Sequence, residues 1–139
     1  MSIWQKPASL AEMTAFMADT LASHIGIEFI ELGEDFIKAK MPVDARTRQA
    51  YGILHGGASA TLAETIGSIA GYLSAPENKL VVGLELNCNH IRTMRDGYVY
   101  GTASPLHLGS TTQVWDIRIV NEEQKLVCIA RLTLAVLNR

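Results

Sequence analysis

The chain has 139 residues, the size of one domain that can bury a substantial hydrophobic core. Hydrophobic residues make up 48% of it and charged residues 19%, which is typical of a globular protein and excludes a disordered one. The net charge of −2, the pI near 6.1 and the scattered basic residues leave no footprint for nucleic acid or for an anionic membrane. We therefore expect a single domain over residues 1–139, with no nucleic-acid partner and no membrane partner.

The two cysteines and the N-terminal residues give an indication of the cellular compartment. Cys88 and Cys128 both lie in alternating apolar segments, and neither belongs to a cluster with zinc-ligand spacing. We expect two small residues buried in strands, with a disulfide as the alternative. The segment Met1–Pro7 does not have the charged-then-apolar pattern of a signal peptide. The sequence therefore favours a cytoplasmic protein.

The order of predicted elements indicates an α+β fold. Ser9 and Glu12 form a capping-box pattern at the start of a first helix. The predicted elements are a helix over Leu10–Leu21, a hairpin of Ile25–Glu31 and Asp35–Pro42, an irregular segment Val43–Leu54, a long helix over Ala58–Ser74, and strands over Leu80–Thr93, Gly97–Leu108, Thr111–Asn121 and Leu126–Leu137. Consecutive strands joined by short turns are antiparallel, and such a sheet has one face to bury. We predict a curved antiparallel sheet wrapped around the long helix.

The long helix carries two different stripes. A core stripe repeats at spacings of three and four and consists of Leu62, Ile66, Ile69, Ala70 and Leu73. The opposite stripe is made of small or polar residues, namely Gly57, Ala60, Thr61, Glu64, Gly67, Ser68 and Gly71. Glycine inside a helix costs about 1 kcal/mol relative to alanine, so we expect another backbone to approach this stripe closely. The sheet or the same helix of a second subunit could supply that backbone.

Glu64 is the only formal charge between Arg48 and Glu77. An exposed helix face normally carries several charges, so a single carboxylate among small residues, with Ser68 one turn later, points to a functional site. A solvated surface carboxylate is the simpler alternative. A membrane span over Ile53–Leu73 is disfavoured, because a carboxylate in mid-span is costly in lipid.

His55-Gly56-Gly57 immediately precedes the long helix. The first backbone N–H groups of a helix lack intrahelical partners and carry partial positive charge. Such a terminus can polarise a carbonyl group and stabilise the oxyanion that develops on it. The alternative is a tight loop in which His55 is a packed or capping residue.

Several segments together resemble the signature of hotdog-fold acyl-CoA thioesterases of the PaaI-like type. They are Met41–Asp44, Gln49–Ala58, Ala63–Ser68, Val82–Glu85, Asn89–Arg92, Pro105–Ser110 and Gln113–Trp115, which cover nearly the whole chain in order. The pattern is most similar to the bacterial branch that includes 1,4-dihydroxy-2-naphthoyl-CoA hydrolase of menaquinone synthesis and related aryl-CoA thioesterases. The resemblance implies the hotdog fold, which is a helix wrapped in a curved antiparallel sheet.

The resemblance also implies a role for individual residues. Glu64 matches the catalytic carboxylate, acting as the nucleophile or as a base for water. Gln49 would orient the water, His55 and the Gly56 N–H would lie across a subunit interface from Glu64, and Ser68 would help to place the water or the acyl group. The positions that match contacts to substrate or CoA are Gly83, His90, Arg92 and Ser110.

The expected chemistry needs no metal and no redox cofactor, and coenzyme A enters only as part of the acyl-CoA or aryl-CoA substrate. The chain has no Gly-x-Ser-x-Gly elbow and no phosphate-binding or dinucleotide fingerprint. Family likeness adds a homodimer, and a dimer of dimers, to these expectations. Two alternatives remain at this point: a hotdog hydratase or dehydratase that uses His55 with Glu64, and a non-catalytic acyl-CoA binding module.

Overall fold

The computed structural model describes all residues, 1–139. In chain order the elements are α1 (Leu10–Phe16), α2 (Leu21–His24), β1 (Glu28–Leu32), β2 (Ile37–Pro42), α3 (Gly56–Ser74), β3 (Lys79–His90), β4 (Tyr98–Leu108), β5 (Thr112–Val120) and β6 (Leu126–Asn138). The strands form one antiparallel sheet in the order β1-β2-β4-β5-β6-β3. The predicted α+β architecture, a hotdog-type sheet around a central helix, is confirmed.

Helix α3 lies against the concave face of the sheet and contacts every strand from β2 to β6. Its Leu62 and Ile66 are fully buried, as are Trp115, Ile117 and Leu132 on the facing strands. Burying these large apolar side chains stabilises the fold by about 1.5–3 kcal/mol each. No helix of the chain is both long and apolar enough to cross a bilayer.

Gly67 and Gly71 of α3 pack closely against the sheet. A β-carbon on Gly67 would lie 2.6 Å from Leu132 Cδ2, and one on Gly71 would collide with Leu134. Both glycines are therefore buried against β6, and they make room for the side chains of Leu132 and Leu134 and not, as expected, for another backbone. Glu64 precedes Gly67 by three and Gly71 by seven residues and so lies on the same side of the helix, but its exposed side chain lies against Gly83 of the neighbouring strand β3.

Two element boundaries of the N-terminal half differ from the prediction. The first helix ends at Phe16 instead of Leu21, since Asp19 adopts a positive φ of 59° and Thr20 then starts α2. The first strand begins at Glu28 instead of Ile25, because Gly26 has a φ of 82° after the end of α2. In both cases a residue with left-handed backbone interrupts a segment whose apolar pattern continues.

The position of β3 also differs from the prediction. Its sequence neighbour β4 is not its partner in the sheet, because β3 pairs with β6 and forms an edge. Residues 91–97 cross three strand spacings, about 14 Å, to reach β4. They are held on the way by bonds from Ile91 N–H to Val127 O (2.8 Å) and from Leu54 N–H to Met94 O (2.8 Å). One long edge of β3 consequently has no strand beside it.

Candidate active site

The loop between β2 and α3 is fixed before it reaches the helix. Thr47 is buried, its hydroxyl donates to Pro42 O (2.7 Å) and it accepts from the Asp44 N–H (3.1 Å). The Thr47 carbonyl in turn accepts from the His55 N–H at 2.8 Å. These bonds hold the start of α3 in one position relative to the sheet.

The first turn of α3 has one backbone donor free. His55 is the N-cap, and its Nδ1 accepts from the Gly57 N–H at 2.7 Å. The Gly56 N–H has no hydrogen-bond partner in the chain, and Gly56 is partly exposed. An unpaired N–H at the positive end of a helix is suited to a carbonyl oxygen that becomes more negative during a reaction. His55 therefore has the capping role that was the alternative reading, and this role orients Gly56.

Gln49 lies on the same loop and is held by its backbone. Its N–H donates to Ile53 O (2.8 Å), its carbonyl accepts from the Gly52 N–H (2.9 Å), and its side-chain Oε1 accepts from the Tyr51 N–H. The Nε2 amide group has no partner in the protein. The chain thus brings Gln49 to the N-terminal end of α3 with one free side-chain donor.

His90 and Arg92 meet Gly56 in a cavity of about 280 Å³. A β-carbon on Gly56 would lie 2.9 Å from His90 Nε2, so the imidazole packs directly on the glycine. Ser59, only 1% exposed, lines the same cavity. The sequence pattern did not single out Ser59. Its position three residues after Gly56 on one helix face was the signal that could have placed it here.

Glu64 and Ser68 lie further along α3, on its open side. Glu64 is exposed in the single chain, and Ser68 is half-buried. A β-carbon on Gly83 of β3 would lie 2.8 Å from Glu64 Oε2. The absent side chain of Gly83 therefore provides the space that the carboxylate occupies at the sheet edge.

The chain separates its site residues into two groups. Gly56 and Glu64 are eight residues apart on one helix, which corresponds to about 12 Å along its axis. That distance is too long for both groups to act on one carbonyl carbon within a single chain. Gln49, His55, Gly56, His90 and Arg92 form one group, and Glu64, Ser68 and Gly83 form the other.

Ser110 belongs to neither group in a single chain. It lies in the β4–β5 turn beside Ser74, Lys79 and Gln113, in a cavity of about 550 Å³ at the C-terminal end of α3. His90 and Arg92 lie at the opposite end of the helix. One protomer therefore does not bring Ser110 together with the other positions expected to contact CoA.

Cys88 of β3 and Cys128 of β6 are free thiols on neighbouring strands. Burial raises the pKa of Cys128 to about 12, and burial, followed by the nearby Glu64 and Glu85 charges, raises the pKa of Cys88. Cys128 is fully buried, as the alternating pattern predicted, whereas Cys88, on the edge strand β3, is only half-buried. The chain has no group of three or more His, Cys, Asp or Glu side chains that could hold a metal ion.

Comparison with known proteins identifies the class. Residues 51–128 match the family model described as the Thioesterase superfamily. The chain is 48% identical over 135 residues to a 1,4-dihydroxy-2-naphthoyl-CoA hydrolase of Escherichia coli, covering 97% of this chain and 99% of that protein. It is 47% identical over 135 residues to the proofreading thioesterase EntH of Cronobacter turicensis, covering 97% and 98% of the two chains.

A solved structure agrees over the whole fold. A glutamine-to-alanine variant of a thioesterase from Pseudomonas aeruginosa superposes with a TM-score of 0.97 at 43% identity, covering 99% of this chain and 100% of that chain. The chain belongs to the thioesterase superfamily, with the hotdog fold, and it is a thioester hydrolase. The family predicted from the sequence is confirmed.

Proposed function

We propose that the protein hydrolyses acyl-CoA or aryl-CoA thioesters to the free acid and CoA, with Glu64 as nucleophile or general base. The free Gly56 N–H is the observation that carries this proposal, because a donor at a helix terminus can polarise the thioester carbonyl. Attack by the Glu64 carboxylate would expel the CoA thiolate and leave an anhydride that water hydrolyses. As a base, Glu64 would instead remove a proton from the attacking water.

The separation of about 12 Å between Gly56 and Glu64 supports a site shared by two chains. Gly56 packs on His90 and Glu64 packs on Gly83, so α3 and β3 run antiparallel to each other. Two copies related by a two-fold axis near Ala60 would bring Gly56 of each copy to Glu64 of the other. The free edges of β3 would then pair antiparallel, which satisfies backbone groups that are otherwise unpaired. By family likeness we also propose that two such dimers associate.

The other candidate site residues would also contribute to a site formed by two chains. The free Nε2 of Gln49 would orient the water, and Ser68, one turn beyond Glu64, would hold the water or the acyl group. Gly83 would admit the carboxylate, while His90 and Arg92 would contact the CoA arm beside the partner's acyl site. Ser110 would reach CoA only from another subunit. The proposed reaction uses no metal and no redox cofactor.

The hydrogen bonding of His55 disfavours the hydratase alternative. Its Nδ1 accepts the Gly57 N–H, so this nitrogen is occupied by helix capping and is not free to act as a base. Incubation with benzoyl-CoA, which cannot be dehydrated or hydrated, should release free thiol. Absence of thiol release from a panel of saturated and aromatic acyl-CoAs would contradict the proposal.

The binding-module alternative is tested by Glu64→Gln. We expect kcat to fall by about 100-fold or more, roughly 3 kcal/mol of barrier, with substrate binding retained. Glu123→Gln, an exposed carboxylate in the β5–β6 turn, is the matched control and should keep full activity. Normal hydrolysis by Glu64→Gln would show that Glu64 does not carry the reaction.

The free thiols of Cys88 and Cys128 suit a reducing compartment, and we propose that the enzyme acts in the cytoplasm.

A further inference from the structure

Ser59 of α3 has a hydroxyl group that the fold itself does not use. The residue is only 1% exposed, yet its Oγ has no hydrogen-bond partner within the chain. Thr61 of the same helix shows the usual arrangement, since its hydroxyl donates to Gly57 O at 2.9 Å. Polar groups inside proteins are normally hydrogen-bonded, so the Ser59 hydroxyl is available to whatever occupies the space in front of it.

That space is the cavity between the first turns of α3 and the end of β3. Every enclosed side-chain nitrogen or oxygen of the chain has a hydrogen-bond partner, so the free Oγ of Ser59 must face the open space that this residue lines. Side chains on a helix lean towards its N-terminus, which directs this Oγ over the turn that begins at Gly56. The hydroxyl therefore lies close to the donor proposed to polarise the thioester carbonyl.

The cavity suits an alkyl segment that carries a hydrogen-bonding group. Apolar side chains form much of its wall, namely Ile53, Leu54, Ile91 and Val127. His90 packs on Gly56 at one side, and the exposed Arg92 also lines the cavity. Apolar walls with a few convergent polar groups hold a ligand by its alkyl part and orient it by its polar part.

The arm of coenzyme A has this chemistry next to its sulfur. Two methylene groups separate the sulfur from an amide, whose nitrogen lies roughly 4 Å away when the bonds are extended. Ser59 follows Gly56 by three residues, which is about 4.5 Å along the helix axis. A thioester with its carbonyl oxygen at the Gly56 N–H can thus place this amide at the Ser59 hydroxyl, which can donate to the carbonyl or accept from the N–H.

We propose that Ser59 is a specificity-determining residue that hydrogen-bonds the amide nearest the sulfur, and that it thereby selects thioesters of coenzyme A over simple alkyl thioesters. The inference rests on the proposed thioesterase function of Glu64 and Gly56. Gly56 acts on the reacting carbonyl, whereas Ser59 recognises the thiol that leaves.

Two short benzoyl thioesters test the proposal: one of N-acetylcysteamine, which contains the amide, and one of pentanethiol, which has the same chain length without it. Wild type should hydrolyse the first with a kcat/KM about tenfold higher. Ser59→Ala should remove this preference and leave the pentanethiol thioester unchanged. Alanine is the better helix former, so the variant should keep the fold. Ser104→Ala, which removes a hydroxyl from β4 outside the cavity, is the matched control and should keep the preference.

Benzoyl-CoA provides the second measurement. Ser59→Ala should lower kcat/KM for benzoyl-CoA about tenfold, mainly by raising KM, because the hydrogen bond is made in the bound substrate as well as in the transition state. Ser104→Ala should leave both constants unchanged. A wild-type kcat/KM for benzoyl-CoA in Ser59→Ala would contradict the proposal.

The outcomes separate this inference from the function on which it rests. If wild type hydrolyses benzoyl-CoA but does not prefer the N-acetylcysteamine thioester, or if Ser59→Ala keeps that preference, Ser59 does not recognise the amide. Equal losses for the two short thioesters in Ser59→Ala would also overturn the inference, because they would not depend on the amide. If wild type releases no thiol from benzoyl-CoA or from any other acyl-CoA of the panel, the proposed function fails and this inference fails with it.

Discussion

The carboxylate of Glu64 lies directly against Gly83, where even a single β-carbon would come within 2.8 Å of Oε2. Glu64 is on α3 and Gly83 is on the edge strand β3, next to a register irregularity between Gly83 and Glu85. The position of the proposed catalytic group is thus set by the absence of a side chain on a neighbouring strand.

Gly83→Ala tests this relationship. The added methyl group must displace the Glu64 side chain, which can swing away at little cost to stability because it is flexible and exposed. We expect kcat to fall about 10- to 100-fold, with the unfolding midpoint nearly unchanged. Asn87→Ala, a change at an exposed position of the same strand, should retain activity. Wild-type kcat in Gly83→Ala would mean that the carboxylate does not act from its observed position.

Lys6→Met tests whether the hydrogen bonds from Lys6, which connect the N-terminal segment to the end of α3, stabilise the fold. Methionine retains an apolar stem but leaves three carbonyl groups at the end of α3 without their charged donor. Hydrogen bonds to a charged group are worth about 1.5–3 kcal/mol, so we expect a loss of roughly 2 kcal/mol in urea unfolding. Lys125→Met, which removes an exposed ion pair with Glu123, is the control and should cost less than about 0.5 kcal/mol. Equal losses of unfolding free energy in the two variants would show that the Lys6 hydrogen bonds do not stabilise the fold.

The Cys128 thiol gives a prediction for alkaline pH. Its pKa is raised to about 12 by burial, from an ordinary value near 9. Above pH 9 the unfolded chain loses the thiol proton more readily than the folded chain, so stability should fall as pH rises from 9 towards 12. The slope from this one group is at most about 1.4 kcal/mol per pH unit. Unfolding of wild type and Cys128→Ala at pH 8 and pH 10 should show a smaller loss for the variant, and identical losses would contradict this assignment.

The sequence predicted the composition of the sheet and the central helix, because each long segment has a clear period and short turns separate the strands. It did not predict the edge position of β3. Residues 91–97 have the composition of a turn, and that composition does not show whether the next strand is adjacent in the sheet. The interruptions at Asp19 and Gly26 were also missed, because backbone conformation at single residues overrides an apolar pattern that continues through them.

For the candidate site, the isolated charge predicted a role for Glu64, which stays a prediction, and the His-Gly-Gly pattern predicted the free donor that the structure has at Gly56. The contacts between Glu64 and Gly83 and between Gly56 and His90 depend on how α3 lies on β3, which no local pattern encodes. Ser59 was missed although its helical spacing of three residues from Gly56 indicated this cavity. Helix phasing placed Gly67 and Gly71 on the side of Glu64, but it could not show that the two glycines pack against Leu132 and Leu134 in the core.

Mixing two inactive variants tests the shared site most directly. A Glu64→Gln chain keeps Gln49 and Gly56, and a Gln49→Ala chain keeps Glu64, so a mixed dimer would contain one intact site. Random exchange of equal amounts should restore about one quarter of wild-type kcat per dimer. Wild type mixed equally with the double variant, Glu64→Gln with Gln49→Ala, should also retain about one quarter, whereas sites within single chains would retain about one half. Activity of the first mixture no higher than the mean of its two inactive parents would contradict a site built from two chains.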